Sequence, residues 1–362
     1  ELVVSRDGSV WIGTAGNGLW RMTPQNNDFT YQKIQPSNAD KESMKKISAL
    51  YEDRFGNIWI GTQNSGLWKC RLASQTALFH SSDIGLNNLY CTTFFESDNG
   101  KVWIGTDGQG LFLVDSLFSL NNHFSDSNGL TSSNVLSSAA IGSQTYFASW
   151  GGEIVRTDGN STKFTKVPFH GLSSPSFSVK YIEVVEKDKL LACTSGDGVY
   201  MYENGQWRSI DLTLNGTPDR WTHSAIEGRD GKIWILTSRT IWHGTLDDLA
   251  PVLPDMDKNP SHNPMVFHQA VEDNDGNLWL ASNNGMYKID AEQNYKLEPV
   301  TFLPKGTYKS LLLDKNGQIW NCGSNGIIKF DPKTQRTENI FYESEKHDFF
   351  VEREKKQKSN GE

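Results

Sequence analysis

Side chains able to do chemistry fall into two groups in this sequence: those that recur at a fixed spacing and those that occur once. Trp150 is the sharpest of the single ones. It stands where small polar residues stand at corresponding places elsewhere, and Gly151-Gly152 follows it. Arg220-Trp221-Thr222-His223 sets an indole and an imidazole just ahead of a strand expected at 224–226. Leu89-Tyr90, Phe267-His268 and Tyr308-Lys309 likewise precede apolar or alternating runs. An exposed indole or phenol face can stack on a pyranose ring, and His or Lys beside it can donate to sugar hydroxyls. The competing reading is that these rings pack inside the fold. A further set, Asn64, Asp107, Gln109, Arg239, Asn283 and Asn284, lies in loops rich in Asn-Gly and Asp-Gly character. Amides and carboxylates suit sugar hydroxyls, but such residues make turns before they make sites.

Catalytic and metal signatures are not found. There is no G-x-S-x-G elbow and no H-E-x-x-H zinc motif. His123, His170 and His262 are scattered, so no metal site is expected. Gly105-Thr106-Asp107-Gly108-Gln109-Gly110 is glycine-rich without dinucleotide spacing, and no cofactor is expected. Ser5 to Trp11 superficially resembles a sialidase Asp-box, but its spacing breaks in most other copies. A propeller lyase or glycosidase working with one or two acids around a channel stays open as an alternative to a non-enzyme.

Composition narrows the partners. The 362 residues carry a formal net charge of -8, so a nucleic-acid backbone is not an expected partner. No apolar run reaches membrane-spanning length, so no direct membrane insertion is expected. The four Cys form no CxxC pair, and Cys193 and Cys322 stand at equivalent places taken elsewhere by Gly or Ala. They read as small buried side chains.

The elements that must position the single residues come from a repeat. Its centre is an aromatic or apolar residue: Trp11, Trp59, Trp103, Tyr146, Leu191, Trp234, Trp279 and Trp320, spaced 41 to 48 residues apart. A Gly stands three residues before most of these anchors and a Thr or Ser three residues after most. In the second copy, residues 47–51 read as a strand, 53–57 as a hairpin turn, 58–62 as an apolar strand, 67–71 as a third strand and 77–80 as a fourth. Four antiparallel strands per unit of about 43 residues describe a propeller blade. The fold class is therefore all-β: a propeller of four-stranded antiparallel blades, eight repeats counted, with seven blades plus one in a neighbour as the alternative. The propeller is expected over residues 1–342, and residues 343–362 form a charged C-terminal tail. The fourth and fifth copies lack the hairpin Gly in register and read as blades with drifted turns. Loops joining second to third strands, and one blade to the next, gather on one face, where a ligand site is expected. The Asp of Asp53, Asp273 and Asp314 recurs with the blade and is assigned to the turn itself.

Residues 52–68 run Glu-Asp-x-x-Gly-Asn-Ile-Trp-Ile-Gly-Thr-x-x-x-Gly-Leu-Trp, and residues 272–280 restate the first half. This pattern strongly resembles the two-component-regulator propeller repeat. That family forms the periplasmic sensor region of hybrid two-component systems common in gut Bacteroidetes. The resemblance implies a periplasmic or extracellular location, recognition of a glycan fragment, and kinase-linked or neighbouring domains as partners. Two departures matter. The family's sensors commonly carry two seven-bladed propellers and an immunoglobulin-like domain, whereas this chain shows eight copies and neither kinase nor receiver segment. Glu1 opens inside a repeat with no signal peptide before it, so the chain reads as a processed or excised piece that does not signal alone. A protein–protein interaction scaffold is the main alternative.

Overall fold

The computed structural model describes residues 1–25, 28–35, 43–71, 77–80, 82, 86, 89–97, 99–115, 117–151, 154–158, 161–168, 178–253, 266–290, 295–314, 316–323 and 326–341. The charged tail beyond residue 342 lies outside them. Eight four-stranded antiparallel sheets follow one another along the chain, within residues 2–34, 47–80, 91–124, 135–167, 178–210, 222–251, 267–299 and 308–341. These are blades 1 to 8, and they close into an eight-bladed propeller. In every blade the strands pair in chain order, so no blade borrows a strand from another. One extra two-stranded hairpin, Thr213–Leu214 with Thr217–Pro218, sits between blades 5 and 6.

Why the strands form is visible in blade 2. Its second strand, Ile58–Thr62, is buried at every position, as a strand covered on both sides must be. Its anchor, Trp59, points across the gap to blade 3 and packs with Leu89, Cys91, Val102, Ile104 and Phe118. The same holds around the ring. Eight apolar clusters occupy the eight gaps between blades, and each contains one anchor. Leu191 fills the gap between blades 5 and 6 in the way Trp does elsewhere. Trp320 of blade 8 closes the ring onto Val10, Ile12 and Met22 of blade 1.

A cation covers several anchors from the third strand of the same blade. Lys69 lies 4.8 Å from the Trp59 ring centre and Lys329 5.2 Å from that of Trp320. Each is the direct cross-strand neighbour of its Trp. Lys69 is wholly buried, and desolvation holds its pKa below the ordinary lysine value.

The recurring polar residues serve the blade. Asp53 Oδ1 accepts the N–H groups of Phe55 (3.0 Å) and Asn57 (2.8 Å), and its Oδ2 accepts Trp59 Nε1 at 2.9 Å. Asp273 and Asp314 repeat this for Trp279 and Trp320, both at 2.8 Å. The carboxylate thus fastens turn and anchor together. Ser5 and Ser97 occupy the same place in blades 1 and 3, and there the indole N–H groups of Trp11 and Trp103 are buried without an acceptor. The Glu before the Asp works between blades. Glu52 accepts the Arg6 N–H of blade 1 at 3.1 Å, and Glu96 accepts the Arg54 N–H of blade 2 at 2.8 Å. Glu227 and Glu272 do the same in blades 6 and 7.

Glycine in the second strand has a steric cause. A Cβ at Gly61 would lie 2.5 Å from Cys91 Cβ of the next blade, and one at Gly13 would lie 2.4 Å from Ile47 Cγ2. In blades 4 and 5 the position holds Ala148 and Cys193, both wholly buried. The drifted turns of blades 4 and 5 are shorter hairpins, with positive φ at Gly142 in one and at Glu186 and Lys187 in the other.

Two outcomes follow. Gly61→Ala is expected to cost about 1–3 kcal/mol, because the inner strand of blade 3 must back away. Asp53→Ala strands an indole, an amide and two backbone donors, and is expected to cost more than about 2 kcal/mol. Chemical denaturation of each variant measures both. A cost below about 0.5 kcal/mol in either would contradict the packing or the hydrogen-bond role.

Candidate functional site

The first strand of each blade is innermost, and consecutive first strands adjoin around the ring. Antiparallel pairing sets the start of that strand beside the end of the second, as in Val135 opposite Ser149 and Thr222 opposite Thr237. Second-to-third loops and blade-to-blade connections therefore share one end of the channel, here called the mouth. Main-chain bonds tie the two kinds of loop together. Asp107 N–H donates to Tyr90 O at 2.9 Å, Trp150 N–H to Asn134 O at 2.9 Å, and Ser238 N–H to Trp221 O at 2.9 Å.

Within each loop the recurring Thr or Ser sets the backbone. Thr62 Oγ1 donates to Gly66 O at 2.7 Å and accepts the Ser65 N–H; Thr106 and Thr194 do the same in their blades. The loop side chains beyond that anchor are then left to vary.

Trp150 and Trp221 stand out at the mouth. They are 52 % and 57 % exposed, and Tyr90 is 36 % exposed. Neither ring belongs to an apolar cluster between blades. Trp221 crosses to blade 5, where its backbone bridges Ser195 and its ring lies over Gly196. Asn64, Asp107, Gln109 and Asn284 are also exposed at the mouth. Arg239 and Asn283 are engaged with main chain. Arg239 donates to Thr217 O (3.1 Å) and Leu214 O (3.3 Å), bracing the extra hairpin. Asn283 Oδ1 accepts the Val266 N–H at 3.0 Å.

His223 and His268 sit differently from the sequence expectation. The strands begin earlier, at Thr222 and Phe267, so both imidazoles lie within the innermost strand rather than ahead of it. Each occupies a β-bulge, the register jumping from Thr222 to Ser224 and from Phe267 to Gln269. A bulged residue leaves the ladder and is re-aimed. His223 Nε2 meets Ser238 Oγ at 3.1 Å. Burial above all, then Lys180 and His268, pushes its pKa down to about 4. His268 is lowered by burial and by Lys309.

Sequence reasoning missed Lys180, the matching residue of blade 5. The signal was present, since a basic residue follows Val179, Thr222, Phe267 and Tyr308 in four successive copies, but the fifth copy's weak turn obscured its register. Among the described residues no cluster of His, Cys, Asp or Glu could hold a metal ion. Cys70, Cys91 and Cys193 are buried thiols whose pKa burial pushes up to about 12, which makes them poor nucleophiles.

The architecture defines an eight-bladed β-propeller with a polar and aromatic mouth. Residues 43–64 match the family model described as Two component regulator propeller, so the chain carries the repeat of that family. No curated protein matches the chain in sequence. Among solved structures it is similar to one described as the extracellular domain of the hybrid two component system BT3049 from B. thetaiotaomicron. That match has a TM-score of 0.50 and 17% identity, covering 94% of this chain and 51% of that one. Saccharomyces cerevisiae Sqt1 gives a TM-score of 0.61 at 11% identity, covering 81% and 84%. YCF48 bound to D1 peptide gives 0.55 at 15%, covering 78% and 90%. Identities this low establish shared fold alone. The chain spans about half the length of the Bacteroides extracellular domains it resembles.

The histidine geometry predicts an acid limb to stability. The folded state holds His223 neutral down to about pH 4, whereas the unfolded chain takes up the proton near pH 6.5. Stability is therefore full above about pH 6.5 and falls as pH drops toward 4, by on the order of 2 kcal/mol from this group. His223→Gln should flatten that limb relative to wild type in denaturation midpoints measured from pH 7.5 to 4.5. Parallel curves for the two proteins would rule the effect out.

Proposed function

We propose that this chain is the ligand-recognising part of a two-component regulatory system, working outside the cytoplasm, and that it takes a glycan fragment on the mouth of the propeller. The observation that carries the reading is the exposure of Trp150 and Trp221 on one face, at 52 % and 57 %. Trp150 stands where the other copies place small or polar residues, and Trp221 holds the same place in its blade as Tyr90 does in blade 3. The part of an indole left in water gains nothing for the fold, and a sugar ring covering it removes apolar area from solvent. The exposed side chains of Asn64, Asp107, Gln109 and Asn284 offer hydrogen-bond partners around the same rim. The family repeat, and the extracellular description of BT3049, support the regulatory and extracellular parts of the reading. Binding here needs no catalysis; domains linked to a kinase would convert occupancy into signal.

A second reading is a docking scaffold for a protein. It is favoured by Phe55 and Leu117, 62 % and 74 % exposed on turns of blades 2 and 3 at the opposite end of the ring. A propeller of similar fold, YCF48, is described as bound to D1 peptide.

Calorimetric titration against a panel of acidic and neutral oligosaccharides separates the two. Trp150→Ala and Trp221→Ala are expected to weaken binding at least 10-fold while moving the melting temperature by less than about 2 °C, since surface positions contribute little to stability. Silence across the panel, together with a stable protein partner lost in Phe55→Ser, would transfer the case to the scaffold. Collapse of the fold in both Trp variants would show that these rings are structural.

A further inference from the structure

Seven of the eight innermost strands carry a β-bulge one or two residues after they start, and each ejects one residue from the ladder. In blades 2 and 3 the ejected residues are Ser48 and Thr92. Their hydroxyls donate to the first carbonyl of the next inner strand, Cys91 O at 2.7 Å and Val135 O at 2.5 Å. Blade 4 places Leu136 there. These three are spent on scaffold or are apolar. The ejected residues of blades 5 to 8 are Lys180, His223, His268 and Lys309. Four neighbouring blades thus place a nitrogen-bearing side chain at this one position of the inner strand, in a chain whose net charge is -8.

Among the described residues no carboxylate forms an ion pair or side-chain hydrogen bond with any of the four. The charges that act on His223 are Lys180 and His268, and the charge that acts on His268 is Lys309. Neither lysine makes an ion pair or side-chain hydrogen bond among the described residues. His268 Nε2 is buried and has no hydrogen-bond partner. Two unpaired ammonium groups beside imidazoles that burial holds neutral, with one imidazole nitrogen unmet, are a cost to the folded protein. An anion in the mouth would pair with the ammonium groups and favour the protonated imidazoles.

We propose that the mouth is an anion-binding site in which Lys180, His223, His268 and Lys309 converge on a ligand bearing two or more carboxylate or sulfate groups, with Trp221 beside them covering an apolar face of that ligand. This deepens the ligand-binding reading and rests on it. Trp221 lies two residues before His223, so charge and stacking surface reach the same ligand from one blade. The neutral side of the mouth, Ser48, Thr92 and Leu136, gives the site a direction: the charged end of the ligand lies over blades 5 to 8.

The experiment is a titration of the whole chain with three probes of equal length: a uronate oligosaccharide, a sulfated oligosaccharide and a neutral one. At least one acidic probe is expected to bind 10-fold or more tighter than the neutral probe, more weakly as salt rises. Lys180→Met with Lys309→Met should lose at least 10-fold of that affinity. Lys309 is exposed, so Lys309→Met alone keeps the fold and serves as the test if the double variant unfolds. The uronate and sulfate arms identify which acid group is read. Equal binding of neutral and acidic probes, lost in Trp221→Ala but unchanged in the lysine variants, would overturn the anion site and leave the ligand-binding face standing. No binding of any probe would overturn both.

Discussion

The whole molecule depends on one kind of contact: a large side chain at the middle of each second strand crossing the gap to the next blade. Blades share no strand and no main-chain ladder. What joins them is apolar packing between faces, with one anchor per gap, a few main-chain bonds at the mouth such as Ile47 N–H to Thr14 O, and a short list of side-chain bonds such as Glu52 to the Arg6 N–H. The remaining regularities serve that contact. The Asp fixes the indole from the turn, Lys or Arg covers it from the third strand, and Gly13 and Gly61 let the neighbouring strand come close enough to meet it. An array of this kind owes its stability to the sum of nearest-neighbour interfaces, and Trp320 against blade 1 turns the array into a ring.

Most of the fold was legible because the repeat averages over local accidents. Eight anchors at near-equal spacing specified eight blades, and the strand limits of blade 2 lie within a residue of those read from the pattern. The Asp at the turn was correctly assigned to the scaffold, since a residue present in several copies answers to what the copies have in common. Its second bond, to the anchor indole, was not legible, because it joins residues six apart through a turn whose geometry must be known first. The Glu that precedes it was invisible for a stronger reason. Its partner lies in another blade, about 45 residues away in sequence, and no local pattern points there.

The candidate site was legible in kind and less so in detail. Aligning copies isolates Trp150 as an exception, whereas Trp221 shares its place with Tyr90, and His223 shares its place with Lys180, His268 and Lys309. The same alignment could not separate Arg239 and Asn283, which hold main chain, from Asn64 and Asn284, which face solvent. All four are polar residues in equivalent loops. Nor could it see that His223 and His268 lie inside a strand, because a bulge changes register without changing composition.

That bulge has a consequence for how such proteins diversify. A residue displaced from the ladder is paired with no counterpart on the adjoining strand, so its side chain is not held to the blade's hydrogen-bond pattern. The ring therefore offers seven interchangeable sockets at one rim, filled here by hydroxyl, aliphatic, ammonium and imidazole groups on a common backbone. Selectivity can be rewritten there one socket at a time, while the gaps between blades, where a single added methyl collides with its neighbour, stay as they are.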